Sequence, residues 1–424
     1  MRLTLPRTLL AAALTAVLTG PLLTVPAEAA PARRISYTEW STRADFRAGE
    51  MDGVRVARGG ALRIGSPIGK DFYVDPHDGG PAKMYEYGRW TSPWSSPGFA
   101  LTELVPSWDA RTRRDSWIQV AVRGRTASGK ESTFDVIARW APGDRTFHRT
   151  SSQGSEDDDI ASVSTDTFRS DSGVAFTSWQ VELTLFRKAG TRGTPVVDTV
   201  GAMTSRLPDV SSVRTSRPGV ARGITLDVPR YSQMIHEGDY QEFGGGGEAW
   251  CSPTSTSMVL GYYDRLPARR QYAWVPSRHP NRFVDHAARM TFDYEYDGTG
   301  NWPFNTAYAA QYADHAFVTR LRNLRQAERL IKAGIPVIAS VAFGPDELDG
   351  APIRSTNGHL MVIVGFTETG DVVVNDPAAP RNRTVRRTYD RGQFENAWLP
   401  TSGGLVYVIR TADQELPARS PGNW

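Results

Sequence analysis

Between Ile35 and Met203 the chain alternates apolar and polar residues in short runs separated by turn clusters. Trp117 to Arg125, Ser132 to Trp140 and Trp179 to Arg187 each put every second side chain on one apolar face. A period of two marks a strand with one buried face. Ala127-Ser128-Gly129-Lys130 and Ala141-Pro142-Gly143-Asp144 supply turns between the runs. Strands of this kind at short spacing predict an antiparallel β-sandwich, jelly-roll-like, over residues 35–205. Residues 206–223 are rich in Ser, Arg, Pro and Val without periodicity and read as a linker.

The pattern changes over residues 224–412. Thr254 to Asp264 is apolar at helical spacing, and Leu324 to Ala333 reads as a second helix with Gly334 at the capping position. β-rich apolar runs follow at Pro336 to Phe343, Leu360 to Phe366, Val372 to Val374 and Val406 to Ile409. Helices followed by strands predict an α+β domain, leaving 413–424 as a C-terminal tail.

The first residues belong to neither pattern. Arg2 and Arg7 precede an apolar stretch from Leu9 to Val25, and Ala27-Glu28-Ala29 is a small-x-small cleavage pattern. This predicts a signal peptide over residues 1–29 and a secreted, extracellular product. No later stretch approaches the ~20 apolar residues of a membrane span. The net charge of +3 is small for 424 residues, and no basic block interleaves with aromatics, which argues against a nucleic-acid partner.

Against that setting the single cysteine gains weight. Exported proteins use cysteines mostly in pairs, yet Cys251 has no other cysteine to pair with. Ser252-Pro253 behind it predicts a cap and a first-turn proline, so a helix opens directly after Cys251. Its apolar face would include Met258, Val259, Tyr262 and Tyr263. A thiol at a helix start has backbone N–H groups nearby to receive an oxyanion. Gly244 to Gly247 precede it, a loop whose backbone can approach a ligand closely. Of seven histidines, His359 stands at the head of an apolar strand after Gly358. A hairpin through Glu368 to Asp371 would return Asp376 beside it to orient the ring. Asn375 competes with Asp376, because alternation lets one of the two face His359.

Taken in order, Val228-Pro229-Arg230-Tyr231-Ser232-Gln233, Trp250-Cys251-Ser252-Pro253-Thr254-Ser255, Gly358-His359 and Asn375-Asp376-Pro377 resemble the C-39-like cysteine peptidases. These are papain-fold relatives of the peptidases that process bacteriocin leaders. The resemblance spans Leu226 to Arg410. It implies a papain-like domain in which Cys251 is nucleophile, His359 base and Asp376 its orienting carboxylate. It also implies an oxyanion-donating glutamine, for which Gln233 matches the strand-end position and Gln241 lies closer to the cysteine.

The expected function is hydrolysis of a peptide or amide bond, with a peptide or protein as partner. A peptide- or wall-binding protein on a degenerate peptidase fold is the alternative, and acyl transfer to an amine a third reading. Trp250, Trp302 and Gly358 are candidate substrate-binding residues. Trp90 and Trp94 sit in a polar stretch and suggest a cell-wall glycan as a second partner of the N-terminal domain. Glu156 to Asp159 reads as a solvated acidic loop. His236, Glu237 and Asp239 match no metal-ligand spacing, so no metal or cofactor is expected.

Overall fold

A computed structural model describes residues 32–153, 157, 159–418 and 422–424. The signal peptide expected over 1–29 lies outside the described residues, as do Glu156 and Asp158 of the acidic run. No helix among the described residues is long and apolar enough to cross a membrane.

The N-terminal part is β-rich. Its strands are β1 (Arg34–Trp40), β2 (Glu50–Asp52), β3 (Val54–Val56), β4 (Leu62–Ile64), β5 (Gly69–Tyr73), β6 (Lys83–Thr91) and β7 (Glu103–Arg111). They continue as β8 (Ser116–Thr126), β9 (Asp135–Trp140), β10 (Thr150–Gln153), β11 (Ala161–Thr165), β12 (Thr167–Ser170), β13 (Phe176–Lys188) and β14 (Val196–Arg206). One short helix, α1 (Arg43–Ala48), starts at a capping box of Thr42 and Asp45. The pairings between these strands are antiparallel, and β10 joins two layers by pairing β9 on one side and β11 on the other. Both layers turn large apolar residues into one core: Trp90, Trp140 and Trp179 from one, Trp108 and Leu104 from the other.

The alternation in β8, β9 and β13 therefore has the physical basis that period two implies, a face against a shared core. Trp90 departs from its expected role. It lies on β6, fully buried, and its Nε1 donates to the Phe46 carbonyl at 2.8 Å. The pleat turns it inward despite its polar neighbours, so it offers no ring to a sugar. Trp94 is half-buried beneath the Arg125 guanidinium, 3.6 Å from its ring centroid.

The second part is α+β. A six-stranded antiparallel sheet runs in the order β15-β20-β16-β17-β18-β19. Its strands are β15 (His315–Arg320), β16 (Val337–Phe343), β17 (Thr356–Phe366), β18 (Val372–Asn375), β19 (Arg386–Tyr389) and β20 (Leu405–Arg410). The helices are α2 (Cys251–Tyr262), α3 (Arg282–Thr291), α4 (Trp302–Ala309), α5 (Leu324–Lys332) and α6 (Arg391–Ser402). Gly334 has the left-handed φ of +78° expected just beyond the end of α5. α2 is enclosed on all sides from Ser252 to Leu260, packed between β17 and the helices α3 and α4.

Arg33 to Trp424 forms one compact unit, and the two parts are joined through their helix ends. Asp166 of the β11–β12 turn accepts from the Trp302 N–H at the start of α4, at 3.1 Å. The buried Arg149 donates to the Arg289 and Phe292 carbonyls at the end of α3, both at 3.0 Å. An acid at a helix start and a cation at a helix end both match the helix dipole. Phe304 and Ala307 of α4 enter the core of the β-rich part, with Phe304 edge-on to Trp108. Arg206 still belongs to β14, and residues 207–223 contain no helix or strand, yet they are fastened along the second part. Ser216 N–H donates to Glu395 at 2.6 Å, and Arg391 donates to the Ser216 carbonyl at 2.7 Å.

Candidate active site

Cys251 is the first residue of α2. The helix begins two residues earlier than the Ser252-Pro253 pattern implied, with Trp250 in the cap position and making no side-chain cap. The Ser252 hydroxyl is instead bonded to Tyr407 at 2.9 Å. Without a capping side chain, the Cys251 and Ser252 N–H groups have no side-chain acceptor on the cap residue, and an uncapped helix start favours negative charge. Two further contacts set the helix, one against the sheet and one against α4. Ser255 Oγ donates to the Leu360 carbonyl at 3.0 Å, one residue from His359, and Thr256 reaches Asn305 on α4 at 3.5 Å.

His359 sits on β17 opposite Val341 of β16, where the register shifts between Val341 and Phe343. A shift of this kind re-aims side chains at a strand end. The ring is 3% exposed, and its Nε2 lies 2.8 Å from Asp376 Oδ1. Cys251 stands near enough to the same ring to help raise its pKa. With Nε2 taken, Nδ1 is the nitrogen left to face the thiol.

Asp376 follows β18 and is fully buried. Its Oδ2 accepts from Tyr389 OH at 2.7 Å, and its Oδ1 also accepts from the Ala378 N–H at 3.0 Å. Asn375 points the other way. Its amide donates to the Val228 and Pro229 carbonyls and its oxygen accepts from Arg386. Alternation along the strand thus gives Asp376 to His359 and Asn375 to the segment that leads to Gln233.

The electrostatics follow from burial and pairing. Burial alone lowers the His359 pKa, but the Asp376 charge and hydrogen bond, with Cys251 beside the ring, raise it to about 10. Burial pushes the Asp376 carboxyl up, and His359, Tyr389 and the Ala378 N–H together bring it below its ordinary value.

Gln233 opens a short 3₁₀ turn, Gln233–His236, and is 3% exposed. Its Nε2 donates to the Glu248 carbonyl at 2.5 Å, three residues before Cys251. Gln241 is exposed on the intervening loop. The glycine run packs against this turn: a Cβ on Gly247 would fall 2.2 Å from the His236 carbonyl oxygen. Its close approach is to its own chain.

A groove of about 560 Å³ opens over Cys251. Trp302 and Gly358 line it, with Tyr296 and Gly298 on one wall. The β-rich part contributes Thr165, Asp166 and Arg169, so both parts build the groove. Asp166 is buried there, and burial raises its pKa to about 6. Trp250 is not in the groove. It is fully buried among Phe243, Val284, Ala288 and Phe292, with Nε1 donating to the Phe243 carbonyl at 2.7 Å. An indole on the cap residue turns under the helix, where its N–H finds a partner, and anchors Cys251 from behind. Tyr389 is not evident from the sequence, although the alternation around Arg386 to Tyr389 after Asp376-Pro377 is the trace of a returning strand.

Residues 225–406 match the peptidase C39-like family, and residues 36–205 match the peptidase C39 N-terminal domain. The two matches together support a C39-like peptidase in the C-terminal half. No curated protein matches the chain. Among solved structures, peanut lectin with a nine-residue peptide aligns at TM-score 0.23 and 11% identity, covering 41% of this chain and 99% of the lectin. A structure of infectious bursal disease virus, Gt strain, aligns at 0.21 and 11%, covering 45% of this chain and 36% of that one. TmCBM61 in complex with β-1,4-galactotriose aligns at 0.18 and 10%, covering 40% and 86%. These alignments are too loose to carry an argument.

Proposed function

We propose that the chain is a secreted cysteine peptidase that hydrolyses a peptide or amide bond through an acyl-enzyme on Cys251. The observation that carries this reading is the file of Cys251, His359 and Asp376, in which one ring nitrogen meets a buried carboxylate and the thiol stands near enough to help raise the ring's pKa. We also read α2 against the antiparallel sheet as a papain-like arrangement.

In this mechanism the Cys251 proton already rests on His359, and the Cys251 thiolate attacks the substrate carbonyl carbon. The oxyanion is held by the first-turn N–H groups of α2 and by the Gln233 Nε2 hydrogen not used on Glu248. His359 then protonates the leaving amine, leaving a thioester on Cys251. A water, deprotonated by the same ring, hydrolyses it and restores the thiol. Asp376 holds the ring in orientation and stabilises its charge. Trp302 and Gly358 border the path of the substrate, and the β-rich part completes the groove and caps the helices that carry it.

The test is hydrolysis of a diverse peptide library by the full chain, read by mass spectrometry. Gln233→Ala is expected to lower kcat by roughly 10²–10³-fold, the scale of one lost oxyanion donor. Gln241→Ala is expected to leave it unchanged. Peptide binding without cleavage by the wild type would overturn the reading in favour of a binding protein.

A further inference from the structure

We propose that His236, Asp239, His279 and Asp285 bind one divalent transition-metal ion, with zinc the best chemical fit. We propose further that this ion braces the turn carrying Gln233, a second clause that rests on the function proposed above. The four residues come from separate places in the chain. His236 ends the 3₁₀ turn that Gln233 begins, Asp239 follows in the loop, His279 precedes α3, and Asp285 lies in the first turn of α3. Glu237, their neighbour in sequence, is exposed and takes no part.

Three of the four are spaced as a loose coordination shell, and His279 stands at its edge, against Asp239 and Asp285. His236 Nδ1 lies 3.3 Å from Asp285 Oδ2, and His279 Nδ1 lies 3.2 Å from both Asp285 Oδ1 and Asp239 Oδ2. Donor atoms of His236, Asp239 and Asp285 all fall within 4.8 Å of one another. A tetrahedral ion with ligand bonds of about 2.0–2.1 Å has edges of about 3.3–3.4 Å between its donors.

Satisfaction of the buried atoms points the same way. His236 and Asp285 are both 0% exposed. His236 Nδ1 and Asp285 Oδ2 each lack a hydrogen-bond partner, although they stand side by side. The hydrogen bond from His279 to Asp285 Oδ1 leaves that pair unmet. One ion between them would take up both atoms. Among the described residues, neither Asp239 nor Asp285 has an ion pair with a lysine or arginine. With neutral imidazoles the cluster carries two negative charges, which a divalent ion cancels. Two imidazole nitrogens with carboxylate oxygens suit zinc and its transition-metal neighbours, whereas calcium and magnesium want oxygen alone.

The position gives the ion a role. It would tie the Gln233–His236 turn to the loop at Asp239 and to α3. Gly247 lies in tight contact with the His236 backbone, and the His236 ring is 6.0 Å from that of Trp250, the residue before Cys251.

The experiment uses the full chain carrying Cys251→Ala, so that the thiol cannot itself bind the metal. After chelation and dialysis, titration with zinc chloride by calorimetry is expected to show one site per chain, unaffected by millimolar calcium or magnesium. His279→Ala, a change at the edge of the cluster, and Asp285→Asn are each expected to weaken it by more than the ~10–100-fold that outer-shell changes cause. No stoichiometric site, or undiminished binding in a folded His279→Ala chain, would overturn the proposal. In the wild type, chelation is expected to lower kcat and one equivalent of zinc to restore it. Unchanged kcat after chelation would remove the bracing role while leaving the site, and neither result depends on the other.

Discussion

Replacing Cys251 with alanine is expected to lower peptide hydrolysis by roughly 10⁴–10⁶-fold, the scale on which loss of a catalytic nucleophile is measured. The acyl-enzyme has nowhere else to form, since Cys251 is the single cysteine of the chain. The fold should barely notice. Cys251 is half-buried at the first position of α2, whose placement is set by Ser252, Ser255 and the enclosed face from Ser252 to Leu260. A stability change of about 1 kcal/mol or less is expected from thermal unfolding. Library cleavage by the alanine variant at a rate near that of the wild type would refute the mechanism.

Asp376→Asn carries the second large effect, and its signature is a pH profile. In the wild type His359 is held protonated to about pH 10 by Asp376 and Cys251, against a burial effect that acts downward. The alkaline limb of kcat/KM is therefore expected near 10. Removing the charge of Asp376 removes the largest cause of the rise, and burial then prevails. The limb should move down towards or below the ordinary histidine value of 6.5, with kcat reduced roughly 10²–10⁴-fold.

Stability follows the same linkage. The raised His359 contributes fully below 6.5, and its contribution is lost as the pH rises through about 10. The lowered Asp376 contributes above 3.8, and its contribution is lost as the pH falls through its depressed folded value. The pair thus stabilises most between about 3.8 and 6.5. Asp376→Asn should flatten that window and cost about 3–5 kcal/mol within it, the scale for breaking a buried pair. An unmoved alkaline limb would show that His359 is not the titrating group.

The legible parts of this protein were those in which local pattern and three-dimensional partner coincide. Strands β8, β9 and β13 alternate because one face meets a shared tryptophan core. α5 ends where Gly334 permits a left-handed φ. Cys251, His359 and Asp376 were visible as a helix start, a strand head and a strand end joined by a hairpin.

What stayed hidden depends on partners remote in sequence. Asn375 and Asp376 are distinguishable only by what surrounds them, Val228 and Arg386 for one and His359 and Tyr389 for the other. Trp250 borders the cysteine in sequence yet turns inward, because Phe243 supplies a carbonyl for its N–H. α4 is buried along most of its length, so it shows no polar face and no helical period. The metal cluster was half visible at His236 and Asp239, but its other half lies some forty residues onward, at His279 and Asp285. The joint between the two parts was invisible, since Phe304 and Trp108 look like ordinary core residues in either part alone.

The mechanism rests on His359 taking the proton of Cys251. It is tested most directly by the rate of iodoacetamide alkylation at pH 6, followed by intact-mass and peptide mass spectrometry. The full wild-type chain is compared with a folded His359→Gln variant. The account expects carboxamidomethylation at Cys251 in the wild type at least about tenfold faster than in the variant, because the thiolate is the reacting form and His359 is the base that generates it. Equal rates in the two proteins would contradict it.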